Sequence, residues 1–300
     1  MSASPLEARW VAMAGLVLAA LLWASSFVVL KAAMGRYHPY MLIFGRLMVA
    51  SICFVPLFYR RRHQRPRPGA LKYILFMSLC EPCLYFLFEV AALQRTTASQ
   101  AGMITAMLPL MVAVGAYLLL REKLTAPVLA GFSLAVTGVV WLSLTSEATQ
   151  SAPDPVLGNF LEFLAMICAT GYILSAKRLT TTFGYSPLMI TAVQALMGFI
   201  FYLPLIFLPD IDFQLHWEPE FFWAVLYLGA FITMGAYGLY NYGISRVTAG
   251  QATAFINLIP IFSVLLGWLF LGERFSSSQY LAAAMILLGI YLSQGAGRRR

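Results

Sequence analysis

Apolar positions run along this chain in long blocks, without the short alternation of a half-buried strand. A helix needs about 20 apolar residues to cross a hydrocarbon core. On that measure ten blocks qualify, near 11–31, 40–59, 73–93, 98–120, 126–144, 157–177, 187–208, 221–243, 250–271 and 279–294. The connections between them are short, which predicts antiparallel neighbours in space. The first block has the length of an anchor and lacks the pattern of a cleavable signal.

The polar residues at the block edges recur. Arg95–Ser143 begins RTTASQAGMITAMLPL, and 151 positions later the chain reads RVTAGQATAFINLIPI. Arg95 falls on Arg246, Gln100 on Gln251, Pro109 on Pro260, Glu122 on Glu273 and Gly138 on Gly289, without a gap. A register kept by polar and special residues points to duplication, with units 1–150 and 151–300. Five spans per unit is an odd number, so the second unit must enter the membrane upside down. Inverted repeats of this kind let one scaffold present a central site to each side in turn, a transporter architecture.

Composition agrees. Hydrophobic residues make up 61% and charged residues 11%, with a mean hydropathy of +0.79. Soluble domains carry roughly 25% charged residues, so this chain cannot cover a water-facing surface. The net charge of +8 reads as membrane topology and not as nucleic-acid binding. With the N-terminus inside, fifteen Lys and Arg fall on the inner side and four on the outer, with Arg46 left inside a span. That bias sets both termini in the cytoplasm. The four cysteines lie in apolar runs and are not placed for disulfides. No phosphate-binding glycine loop is present, and His38, His63 and His216 sit in separate loops. The expectation is therefore no enzyme, no cofactor and no metal centre. Cys80 and Cys83 read as small buried residues.

Charges inside spans are costly and need a reason. Four stand out: Arg46, Glu81, Glu89 and Glu162. The repeat acts as a control. Arg46 falls on Gln194, Glu81 on Ile232 and Glu89 on Tyr240, so the shared scaffold does not require these charges. Glu122 and Glu273, by contrast, occur in both turns and are assigned to capping or to pairing with Lys123 and Arg274. At about 1.5 Å of rise per residue, Arg46 lies about 9 Å and Glu89 about 6 Å from the outer end of their spans, so the two could pair as a structural link or meet cargo or proton. Glu81 lies about 12 Å from the inner end. Pro82 follows it and cannot donate a backbone hydrogen bond, which predicts a kink beside a midplane carboxylate. Glu81, Tyr85 and Glu89 share one broad helix face. Either carboxylate could couple transport to protons or meet a cationic group on the cargo; alternatively Glu81 is protonated and bonded to a neighbouring helix. Trp23 could wall a cavity and stack on a quaternary amine. Asn257 is the amide chosen ahead of Gln194 and Asn241. Among the other span aromatics, Tyr237, Tyr240, Tyr242 and Trp268 read mostly as packing. Gly102 with Ala106, and Ser263 with Gly267, read as small-residue pairs for close helix approach.

These residues resemble a known family. Leu22-Trp23-Ala24-Ser25-Ser26-Phe27 is similar to the tryptophan–glycine–serine–serine–phenylalanine motif of the drug/metabolite transporter superfamily, with Ala24 where glycine is usual. Phe44-Gly45-Arg46 with Ala50 resembles its arginine motif, and the Arg95–Ser143 pattern resembles the EamA-type repeat. The resemblance implies a five-plus-five fold around a central cavity, with the fifth and tenth helices peripheral, and movement of small metabolites, often export.

The expectation is an all-α polytopic membrane protein of ten transmembrane helices in two inverted repeats, in the cytoplasmic (inner) membrane of a bacterium. Its partners are the bilayer, a small-molecule substrate and a possible coupling proton. Cargo and coupling are assigned to Glu81, Glu89, Arg46, Tyr85, Trp23 and Asn257. Amino acids or related solutes, exported by alternating access, come first. Proton-coupled uptake or exchange of a cationic solute comes second, and a receptor or scaffold without a cavity stands as a different class.

Overall fold

The computed structural model describes residues 5–61, 67–120, 125–208, 211, 218–247 and 255–294. The described residues form helices. Eight are long and apolar enough to cross a membrane: α1 (Trp10–Ala33), α2 (Pro39–Arg60), α3 (Leu71–Leu93), α4 (Ala98–Leu118), α5 (Ala126–Leu144), α6 (Pro155–Thr181), α7 (Pro187–Phe207) and α8 (Pro219–Arg246). Two shorter apolar helices follow, α9 (Leu258–Leu271) and α10 (Ser277–Ser293). The predicted ninth span begins at 250, and its first residues lie outside the described ones.

Helix ends follow local chemistry. Pro155, Pro187 and Pro219 open α6, α7 and α8, where a missing N–H costs nothing. Asp154 and Ser186 cap the first two by accepting from Leu157 N and Met189 N. Gly272 ends α9 in the left-handed region, with φ 66°.

Packing runs mainly between the two halves of the sequence: α1 on α9, α2 on α7, α3 on α6, α4 on α9 and α5 on α10. One hydrophobic core therefore draws on both halves. The α5–α10 pair lies to the side, with most of its surface outward, as the resemblance implied. Glycine allows its contact: a Cβ on Gly131 would stand 2.2 Å from the Gly289 carbonyl oxygen. The small-residue pairs of α4 and α9 also meet. A Cβ on Gly102 would stand 2.2 Å from Ser263 Oγ, and one on Gly267 would stand 2.3 Å from Ser99 Oγ.

Glu273 serves the fold, but through the other half. Its carboxylate accepts from Ala98 N at 2.9 Å and Ser99 N at 2.8 Å, capping the positive end of α4. Its sequence mate Glu122 lies outside the described residues, as do Lys123 and Gln251. Nearby, a buried amide network ties α4, α5 and α6. Asn159 Nδ2 donates to Gln100 Oε1 at 2.9 Å and to Ser143 Oγ at 3.1 Å.

Two lysines close the C-terminal ends of α3 and α8. Lys31 Nζ donates to the carbonyls of Leu93, Thr96 and Ser151. Lys177 Nζ donates to the carbonyls of Ile244 at 2.7 Å and Val247 at 3.1 Å. Ile244 and Val247 are the residues 151 positions after Leu93 and Thr96. Each lysine sits near the end of the first helix of its half, and each satisfies carbonyls that the helix itself leaves open.

Lys31→Met and Lys177→Met should each lower the thermal stability of the detergent-purified protein, by about 1–3 kcal/mol for carbonyls left unpaired. Unchanged melting in either variant would remove that lysine from the account. Gly131→Val should cost about 1–3 kcal/mol as an overpacked contact in the same assay; a wild-type melting point would show that α5 and α10 can separate freely.

Candidate functional site

The third helix is broken where the sequence placed its kink. Glu81 has φ −148° and ψ 121°, an extended conformation inside a helical run, and the peptide bond to Pro82 is cis. Glycines on neighbouring helices make room for the break. A Cβ on Gly198 of α7 would stand 2.3 Å from Pro82 Cγ, and one on Gly171 of α6 would stand 2.6 Å from Cys80 Sγ. Tyr202 on α7 donates to the Cys83 carbonyl at 3.0 Å. The eighth helix is irregular at the matching place. It winds as a π-helix over Tyr227–Ala236, and Thr233 Oγ1 donates to the Leu228 carbonyl, five residues back, at 3.0 Å. Such segments leave the regular hydrogen-bond ladder and often mark functional sites.

Between these two irregular helices lies a cavity. Helices of both halves line it. Glu81, Tyr85, Phe86 and Glu89 come from α3, Trp23 and Ser26 from α1, and Arg46 from α2. Met166, Tyr172 and Ile173 come from α6, and Tyr237 and Tyr240 from α8. The Tyr237 hydroxyl donates to a Glu81 carboxylate oxygen, joining α8 to the break in α3. Trp23 packs on Tyr237 and Tyr240, with ring centroids 5.2 and 5.0 Å apart. Tyr172 meets Tyr237 edge-on at 6.1 Å. Behind this aromatic wall Tyr172 donates to Asn241 Oδ1 at 2.9 Å, and Asn241 Nδ2 donates to Thr191 Oγ1 at 2.8 Å.

The charged side chains stay separate. Arg46 Nε donates to Thr233 Oγ1 at 3.0 Å, and its guanidinium carbon stands 4.3 Å from the centre of the Phe86 ring. Among the described residues no carboxylate oxygen lies within 4.0 Å of an Arg46 nitrogen. Glu89 Oε1 accepts from the Tyr85 hydroxyl at 3.0 Å, while Glu89 Oε2 is buried without a partner. The direct Arg46–Glu89 pair that equal depth suggested is therefore absent. Arg46 turns toward the ring one helical turn along α3 and toward α8. Trp23 Nε1 and the Tyr240 hydroxyl are also buried without partners, so the lining keeps unused donor and acceptor capacity.

Five of the six residues singled out from sequence meet at this cavity: Trp23, Arg46, Glu81, Tyr85 and Glu89. Asn257 is not part of its lining; Ile256 and Ile259 are. Of the four aromatics assigned to packing, Tyr237 and Tyr240 reach the cavity. Tyr242 lies under Arg246, and Trp268 faces outward at 54% exposure. Tyr172 was missed. Its only signal was a polar-tipped aromatic ring inside an apolar run, the same signal Tyr85 gave. Cys80 and Cys83 are buried free thiols, and no group of three or more metal-ligating side chains forms among the described residues.

Comparison with known proteins places this geometry. The model of the EamA-like transporter family matches the chain twice, over residues 10–144 and 156–294. An uncharacterized transporter of Bacillus subtilis, YetK, is 29% identical over 275 residues, covering 90% of this chain and 82% of its own. An uncharacterized transporter of Archaeoglobus fulgidus is 24% identical over 280 residues, covering 93% and 95%. A Chlamydia trachomatis protein named S-adenosylmethionine/S-adenosylhomocysteine transporter is 28% identical over 289 residues, covering 91% and 86%. A solved crystal structure superposes on 99% of both chains with a TM-score of 0.67 at 20% identity, a likeness of fold. Matched over both halves, the chain belongs to the EamA-like transporter family.

Proposed function

We propose that this protein is a secondary transporter that exports amino acids or related small polar solutes by alternating access, with the central cavity as the cargo site. The observation that carries this reading is the cavity lining: one guanidinium and two carboxylates, not paired with one another, beside seven aromatic side chains. An amino-acid-like solute carries a carboxylate that Arg46 can receive. It also carries a cation that Glu81, Glu89 and the rings can receive. The name of the Chlamydia relative supports an amino-acid-derived cargo with a cationic centre.

Alternating access rests on ten spans in two inverted repeats, units 1–150 and 151–300. Three observations support that arrangement. The family model matches twice; the two lysines close carbonyls 151 positions apart; and the irregular segments of α3 and α8 occupy matching positions. The basic-residue bias supports termini in the cytoplasm of a bacterial cell. A second reading, proton-coupled uptake or exchange of a cationic solute, is favoured by the partnerless oxygen of Glu89. A receptor or scaffold would leave these charges with protein partners and no cavity, and the geometry weighs against it.

Thermal-shift measurements with amino acids, S-adenosylmethionine, S-adenosylhomocysteine and quaternary amines test the reading. A true cargo should raise the melting point, by about 2.7 kcal/mol of stabilisation at one hundred times its Kd. Arg46→Gln should weaken carboxylate-bearing ligands by about tenfold or more, the worth of a charge-assisted hydrogen bond. Glu81→Gln should weaken the cationic ones. A panel that shifts nothing, together with no counterflow of the same solutes in proteoliposomes, would sink the proposal.

A further inference from the structure

α3 and α6 bury an acidic pair of which only Glu89 reaches the cargo cavity. Glu162 on α6 is wholly buried, and neither of its carboxylate oxygens has a hydrogen-bond partner. It is not part of the cavity lining. Gly158 of α6 lies against Thr96 and Gly171 against Cys80, so the antiparallel α3–α6 contact sets Glu162 within about a turn of Glu89, which does line the cavity and has one oxygen bonded to Tyr85 and one without a partner. Three of the four carboxylate oxygens are thus sealed from water and unbonded.

The surroundings bring no direct counter-ion. Arg46 on α2 stands outside ion-pair distance of Glu89. Glu81 is engaged by Tyr237. Tyr85 donates its hydroxyl to Glu89 at 3.0 Å. The other helices packed on α6 near this end, α4 and α5, carry no Asp, Glu, Lys, Arg or His within their spans. Two ionised carboxylates buried at one level of a helix contact, without a cation against them, cost far too much to persist. A shared proton is the smallest species that relieves both.

We propose that Glu162 and Glu89 form a proton-binding site, with Glu162 as the positioning residue that holds the proton where Glu89 can deliver it to the cavity. The exchange balances simply. When a cationic group enters and pairs with Glu89, the carboxyl O–H bond breaks, the proton leaves through the cavity to water, and the carboxylate takes the cation. Departure of the cation lets a proton return. The coupling role rests on the transport reading above; the proton site itself does not.

Infrared difference spectroscopy of the full-length protein in lipid, taken between acidic and alkaline pH, reads the site without any cargo. The C=O stretch of a protonated carboxyl group is separate from the bands of an ionised one. Wild type should show such a band, lost as pH rises. Glu162→Gln should lose or shift it and move its pH midpoint, and Glu89→Gln should do the same. A wild-type spectrum without a titrating carboxyl band overturns the proposal regardless of whether the variants fold. So does a band that Glu162→Gln and Glu89→Gln both leave unchanged. Removal of the band by sodium chloride but not by choline chloride at fixed pH would also overturn it, in favour of a metal cation. An intact proton site with no ligand response would count against the transport reading alone.

Discussion

A polar group inside a bilayer has no water to fall back on, so it must find a partner within the protein or face a wet cavity. That constraint organises the whole molecule. Where the chain needs only to cross, the rule is obeyed locally. Lys31 and Lys177 close the open carbonyls of α3 and α8, and Glu273 closes the open N–H groups of α4. Most of these partners come from a different helix, and Glu273 comes from the other half of the chain. Satisfying backbone groups and docking helices are therefore one and the same event.

The rule is relaxed around the cavity. Glu81 leaves the helical conformation there, α8 winds irregularly, and Trp23, Glu89 and Tyr240 keep unpaired polar atoms. The hydrogen bond from Tyr237 to Glu81 spans this region and links the two irregular helices directly. Irregular backbone at membrane depth is tolerated where it lines a cavity. Under the transport reading, a bond between two broken helices is the natural place for cargo to compete, because a cation that takes Glu81 must displace the tyrosine hydroxyl.

Sequence and structure agree where the physics is one-dimensional. The eight long apolar spans and the break at Pro82 depend on order along the chain, and both could be read from the residues alone. Arg46, Glu81 and Glu89, the charges absent from the matching positions of the second half, all line the cavity, whereas Glu273 caps α4. What depends on rotation about a helix axis was harder. Arg46 and Glu89 sit at similar depth, yet Arg46 turns to Phe86 and Thr233. Asn257 points elsewhere while Ile256 and Ile259, on either side of it, reach the cavity. In helices apolar all round, no polar stripe marks the inward face, and Tyr172 stayed hidden for that reason.

The cavity also has two unlike walls. In the repeat register Glu89 corresponds to Tyr240 and Glu81 to Ile232, and both Glu89 and Tyr240 line the cavity. The scaffold thus offers related positions from its two halves, and the chain fills one set with carboxylates and the other with rings and aliphatics. A symmetric filling would bind a solute equally well in either orientation. Under the transport reading, the carboxylates on α3, with Tyr237 bonded to Glu81, suit a cationic group, and Arg46 beside Phe86 suits an anionic one. Under the same reading, the orientation of a bipolar solute would follow from which half carries the charges.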